Sequence, residues 1–274
     1  MLSIQTNVGS MLALEHLRVN NDFQTQTIER LTSGYRINSS GDDAAGLAVA
    51  NGYRSDVAVL TQGVRNANDG VSTLQIVDGG LSNITKMLDR LRSLAMEAAS
   101  DTFTGSRDTL NNEFLTLMGE IDRQASNIGL NANGAGAAES VNVNPLNVYI
   151  GGNLPTVSVD LSNGGVDSAS LGIDSLDISD VGGAQAALDT IKTALDSVGV
   201  VQGAVGTGQN EMSYAINLAQ SQIVSYSAAE SRIRDADIAS EAANLTKAQV
   251  LQQSTMAALA QANSVPQSVL SLFR

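Results

Sequence analysis

The chain has 274 residues, room for a sizeable core or for about one to two ordinary domains. It has no Trp, four Phe and five Tyr, and Ala, Ser, Asn, Gln and Leu dominate, which suits helix-on-helix packing better than a compact globule. Fifteen basic against twenty-eight acidic side chains leave a net charge of −13, which opposes binding to nucleic acid or to an anionic membrane surface.

The first stretch, MLSIQTNVGSMLALEHLR, lacks a basic n-region and a clear small-residue cleavage site, so it does not read as a Sec signal peptide. Residues Met1 to Leu14 carry no charged side chain, yet Ile4, Val8, Met11 and Leu12 suggest a helix. No window offers about eighteen consecutive apolar residues, so no membrane insertion is expected. The absence of cysteine removes disulfides and thiolate zinc sites.

RINSSGDDAAGLAVANGYR, Arg36 to Arg54, is glycine-bearing and has two adjacent carboxylates, Asp42 and Asp43. A phosphate cradle would want several glycines and a lysine, and this stretch has no lysine. A metal site would want more converging ligands than two sequence neighbours that point about 100° apart on a helix. The better reading is a helix start, with Ser39, Ser40 and Asp42 as cap-type residues and both aspartates favoured at a helix N-terminus.

From Asp43 to about Ala98 the pattern is helical. Tyr53, Val57, Leu60, Val64, Ala67, Val71 and Leu74 recur at alternating steps of four and three; Val77, Leu81, Ile84, Leu88, Leu91, Ala95 and Ala98 resume it after one irregular step. This is a heptad seam with one 3-3 fault, on a helix of roughly 80 Å, and it must be buried against other helices. Leu110, Phe114, Leu117 and Ile121 predict a second helix, with Ser106 or Asp108 as cap. Between Gly129 and about Asp180, turn signals at Pro145, Gly151-Gly152 and Gly164-Gly165 separate β-branched runs (VNVN, LNVYIG, TVSVDLS), which predicts a small hairpin-type β element. A second long helix follows, read as interrupted near Gly203, Gly206 and Gly208.

The far end mirrors the start. Ala248 to Phe273 carry no charge, with Leu245, Leu251, Met256, Leu259, Leu270 and Phe273 on a helical pattern rich in Gln, Ser and Asn. A chain that keeps charge away from both ends either buries them against copies of itself, ordering on assembly, or packs them as core helices of one monomer.

LTSGYRINSSGDDAAGLAVAN (Leu31–Asn51) and SRIRDADIASEAANLTKAQVLQQSTMAALAQANSVPQSVLSLFR (Ser231–Arg274) resemble the N- and C-terminal signatures of bacterial flagellin. The resemblance covers about residues 1–128 and 180–274, and leaves the insert between them unmatched. It implies a mainly α fold: a long antiparallel helical bundle with a small β-hairpin, plus terminal helices paired as a coiled coil. It implies an extracellular structural subunit that polymerises into the flagellar filament, without cofactor or enzyme activity. Residues 1–32 and 238–274 would then form the filament core, 33–41 and 232–237 the connecting spokes, and 42–231 a helical rod. Ile4, Val8, Met11, Leu12, Leu245, Leu251, Met256, Leu259, Leu270 and Phe273 would make the polymerisation interface, and Arg36, Asp42 and Asp43 the spoke and helix cap.

The implied partners are further copies of the chain, the flagellar type III export apparatus, a flagellin export chaperone, and the filament cap and hook-associated proteins. LDRLRSLAMEAAS also resembles the stretch by which flagellins meet Toll-like receptor 5, with Arg90, Leu94 and Glu113 on matching positions. Glu97 departs from the usual glutamine, and the same spacing fits Leu94 as a bundle core residue and Arg90 as a solvated charge. Other readings are the related hook–filament junction protein, whose matching segment more often has proline after the two aspartates, and a monomeric secreted coiled-coil module. A zinc protease, carried by some flagellins, would need H-E-x-x-H, and His16 is the one histidine.

Overall fold

A computed structural model describes residues 6–131, 145–151, 156–161 and 165–272, with side chains as far as Val265. The fold is mainly α: α1 (Val8–Ser33), α2 (Ala44–Ala98), α3 (Arg107–Asn127), β1 (Leu146–Val148), β2 (Val157–Val159), α4 (Val181–Arg234) and α5 (Ile238–Leu272). The chain forms two compact units. One is built from its two ends, up to Ser55 and from Ser225, and the other from Asp56–Val224.

Each long helix starts where a side chain meets a free backbone N–H. Asn7 accepts from Ser10 N–H at 3.1 Å ahead of α1, Asp43 from Gly46 N–H at 2.8 Å ahead of α2, and Asp237 from the N–H groups of Ala239 and Ser240 ahead of α5. Asp180 does the same for Gly183 at 2.6 Å ahead of α4. Ser106 stands at the N-cap of α3 without a side-chain bond, and Asp108 lies in that helix's first turn.

In the Asp56–Val224 unit, α2 and α4 each carry a buried seam. On α2 it runs through Leu60, Ala67, Leu74, Val77, Leu81, Ile84, Leu88, Leu91, Ala95 and Ala98. On α4 it runs Ala184, Ala187, Ile191, Ala194, Val198, Val201, Val205, Gly208 and Met212 in unbroken three-four alternation. The expected interruption of α4 is therefore absent. Gly203 and Gly206 meet nothing where a Cβ would stand, while Gly208 is where Val159 of β2 presses on the helix, at 2.5 Å from that Cβ position.

The α2 seam also needs a correction. Val57, Val64 and Val71 are only half-buried, and the fully covered positions between Leu60 and Leu74 include Gly63 and Gly70. The antiparallel hairpin, with Leu146 opposite Val159 and Val148 opposite Val157, turns Val148 and Val159 inward. Its backbone beyond β1 comes so close to α2 that a Cβ on Gly63 would lie 1.6 Å from the carbonyl oxygen of Ile150. A Cβ on Gly70 would lie 2.8 Å from Val148 and 2.9 Å from Met212 of α4. Of the β-branched runs read from the sequence, VNVN lies outside the described residues.

Helix α3 folds back along α2. Arg107 donates to the carbonyls of Ala98 and Ser100, closing the connection, and Ile128 packs against Gly80. The segment from Val166 to Ile178 is fastened to α3 by Asp122, which accepts from the N–H and hydroxyl of Ser168. Asn111 accepts from Ile178 N–H.

Candidate functional site: the paired ends of the chain

Helices α1 and α5 pair antiparallel, as their hydrogen bonds show. Asn7 Nδ2 donates to Ala262 O at 2.7 Å, Asn20 Nδ2 to Ala248 O at 2.9 Å, and Gln252 Nε2 to Asn21 Oδ1 at 3.1 Å. Arg30 and Glu241 form an ion pair at 3.5 Å. What α1 buries against its partner is small or polar: Ala13, Asn20 and Thr27, spaced by seven. On α5 the buried positions are Glu241 and Ala248, again seven apart. A heptad seam filled this way brings two helix backbones close, and its side-chain amides reach the carbonyls of the opposite helix to fix the register.

The large apolar residues of the same helices point away from the seam. Val8 is 69 % exposed, Met11 66 % and Leu12 60 %, with Leu251 at 45 % and Met256 at 49 %. Leu245 and Leu259 are half-buried. Ile4, Leu270 and Phe273 lie outside the described side chains. Leu14, Val19, Ile28 and Val250 are exposed too and belong to the same surface; their apolar character in weakly charged helices was the available signal. The register amides Asn7 and Asn20 were visible only as polar residues, since their partners are backbone atoms.

Between α1 and α5 an open groove of about 570 Å³ is lined by His16, Val19 and Phe23 on one side and by Lys247, Leu251 and Ala258 on the other. Its walls are predominantly apolar, and its volume is within the ~300–1,000 Å³ of typical binding clefts.

The connections at the inner ends of these helices are paired as well. Gly34 adopts the left-handed conformation (φ 75°) that ends α1. Arg36 N–H donates to Arg234 O at 2.6 Å and Ala236 N–H to Gly34 O at 2.9 Å, around a bridge between Tyr35 and Asp235. The Arg36 guanidinium donates to Ile233 O, the Arg234 guanidinium stacks 4.2 Å over the Tyr35 ring, and Ile37 is buried. Nearby, Tyr53 and Tyr226 stack at 5.6 Å.

The two aspartates read together in the sequence have separate tasks. Asp43 caps α2, whereas Asp42 turns back to accept from the N–H groups of Asn38 and Ser39. Those N–H groups, Ser39 first, hold the Asp42 carboxyl below its ordinary value. Asp42 thus fastens the connecting loop and not the helix.

In the other unit, Arg90 reaches Glu113 on α3 through Nε and Nη2, at 2.9 and 2.6 Å, with both side chains about half exposed. Leu94 is 1 % exposed, within the α2 seam, so its side chain presents no surface to a partner. Among the described residues no group of three or more His, Cys, Asp or Glu converges as a metal site, and no helix is long and apolar enough to cross a membrane.

Two family models match the sequence, the bacterial flagellin N-terminal helical region over residues 4–134 and the bacterial flagellin C-terminal helical region over residues 188–273. The flagellin of Halalkalibacterium halodurans is 33% identical over 273 residues, covering 99% of each chain. The flagellar filament 30.7 kDa core protein of Treponema maltophilum is 37% identical over 285 residues, covering 98% of this chain and 99% of its own. Among solved structures, Bacillus cereus flagellin aligns with a TM-score of 0.48 at 24% identity, over 56% of this chain and 88% of that one. Both helices of the terminal pair fall within the matched regions and the relatives align from end to end, so the chain belongs to the bacterial flagellin family.

Proposed function

We propose that this chain is a structural subunit that polymerises into the extracellular flagellar filament, and that its assembly surface is the outward apolar side of α1 and α5. The observation that carries the reading is the inversion of the helix pair: small and polar residues inside, Val8, Met11, Leu12, Leu251 and Met256 outside. A surface of that kind on paired helices is expected to be covered by a partner, and in a filament the partner is the next copy. In this reading residues 1–32 and 238–274 line the filament core, 33–41 and 232–237 are the spokes, and 42–231 form the outer wall. Delivery by the type III apparatus with an export chaperone, and contact with the cap and hook-associated proteins, belong to the same proposal.

Seeded growth followed by electron microscopy tests it. The parent protein is expected to grow tubes, while the double variant Met11→Asp, Leu251→Asp stays monomeric with unchanged far-ultraviolet circular dichroism. Tubes from the double variant at the parent's rate, or none from the parent, would overturn the assignment.

Recognition by Toll-like receptor 5 is part of the proposal, supported by the exposed Arg90–Glu113 pair. Leu94 then acts by holding α2 in place and not by contact. A receptor reporter assay with purified monomer decides it: the parent should signal and Arg90→Ala should signal less, and silence from the parent ends the idea.

A further inference from the structure

The groove between α1 and α5 contains the chain's one histidine. His16 lines it from α1 and Lys247 from α5, with Val19, Phe23 and Leu251 supplying apolar wall. Neither basic side chain takes part in the hydrogen bonds that join the two helices at Asn7, Asn20, Asn21 and Arg30. On α5 the charged residues are Glu241 and Lys247, and Glu241 is engaged by Arg30. On α1, Glu15 beside His16 is paired with Arg18, which also reaches Asp22. Lys247 is therefore the charged group that faces His16 across the groove.

We propose that this groove receives apolar side chains from a second copy of the chain, and that protonation of His16 opposes the docking. The proposal rests on the filament reading above. The occupant is argued from charge and from exposed surface. Met1–Leu14 carries no charged residue, and its Val8, Met11 and Leu12 stand in solvent in the single chain. Such a segment fills an apolar groove without stripping water from an ion of its own. It does, however, cover His16 and Lys247.

Covering an imidazole with apolar groups disfavours its charged form, and the ammonium across the groove acts in the same direction. His16 therefore binds its proton less tightly in the assembled state than in the free chain. The sign follows from linkage: assembly at full strength above the imidazole range, near pH 6.5, and weaker as the pH falls through it. If docking excludes the proton entirely, the critical concentration for growth rises about tenfold at pH 5.5 relative to pH 8. Carboxylates of ordinary acidity stay ionised over this range and do not produce the effect.

The experiment measures the critical concentration of seeded growth between pH 8 and pH 5.5 for the full chain, His16→Gln and Lys247→Gln. The expected result is a severalfold to tenfold rise for the parent, a flat profile for His16→Gln, and a retained but shallower rise for Lys247→Gln. His16 is exposed on α1, so His16→Gln should keep the parent's circular dichroism. A flat parent profile, or a rise that survives in His16→Gln, would overturn the proposal. A critical concentration that falls with acid would indicate an anionic occupant and would equally overturn it. Failure of the parent to grow at any pH would instead sink the filament reading, and this inference with it.

Discussion

Replacing glycine by alanine at two helical positions should move stability in opposite directions. On α2, a Cβ at Gly63 would stand 1.6 Å from the carbonyl oxygen of Ile150 and 2.4 Å from its carbon. Non-bonded carbons prefer a separation of about 3.5–4.0 Å, so the chain after β1 would have to retreat by about 2 Å. The obstacle is backbone and cannot be relieved by a side-chain rotation. Overpacking of this kind costs about 1–3 kcal/mol and here belongs at the upper end. The gain in helix propensity, about 1 kcal/mol, offsets part of it, leaving Gly63→Ala destabilised by about 2 kcal/mol. On α4, a Cβ at Gly203 meets nothing within 4 Å, so Gly203→Ala should retain the full propensity gain of about 1 kcal/mol. Two identical chemical changes are thus expected to differ by about 3 kcal/mol. Urea unfolding followed by circular dichroism measures both, and hydrogen exchange at Val148 and Val159 reports whether the hairpin has lifted. Equal shifts for the two variants, in either direction, would refute the close approach of Ile150 to α2.

Asn20→Ala should destabilise the α1–α5 pair by about 1–3 kcal/mol, because it removes the amide that meets the buried Ala248 carbonyl; hydrogen exchange localised to the two helices is the measurement. Asp43→Ala should cost about 1 kcal/mol as a lost N-cap, and Asp43→Asn should cost little since asparagine caps about as well; thermal unfolding separates them. Asp42 has its carboxyl held below the ordinary value by backbone N–H groups. The stabilisation it gives the loop is therefore present above the unfolded carboxylate value of about 3.9 and is lost as pH falls through the lower folded one. An NMR titration of the Asn38 and Ser39 amides should show this, and Asp42→Asn should remove it.

The helices were legible because their signal is local and periodic. The α2 seam from Val77 to Ala98 is buried at the positions the three-four spacing names. Upstream, the same rule picked Val64 and Val71, because an apolar side chain advertises burial and a glycine does not. Gly63 and Gly70 are covered by a hairpin that arrives from residues about eighty positions away, and periodicity carries no information about such an arrival. Gly208 misled for the same reason: it looked like a break in α4 and is a place where another backbone comes close. At the chain ends, lack of charge marked the right helices, but the division into an inner polar seam and an outer apolar side was hidden. Asn20 and Ala248 find each other through a backbone carbonyl, which no residue pattern encodes. Asp42 and Asp43 were equivalent as cap-type residues, and only the path of the loop from Asn38 separates their tasks.

The inverted helix pair has a bearing on how such a sequence can change over time. The contacts that fold the ends, among them Asn7 to Ala262 and Asn20 to Ala248, use different side chains from the ones left facing outward, such as Met11 and Met256. A substitution on the outer set alters how strongly neighbours attract while leaving the hairpin's own free energy nearly untouched. A substitution on the inner set does the reverse. Distant, unconnected positions contribute additively, so selection can adjust cohesion between copies and integrity of each copy as separate traits.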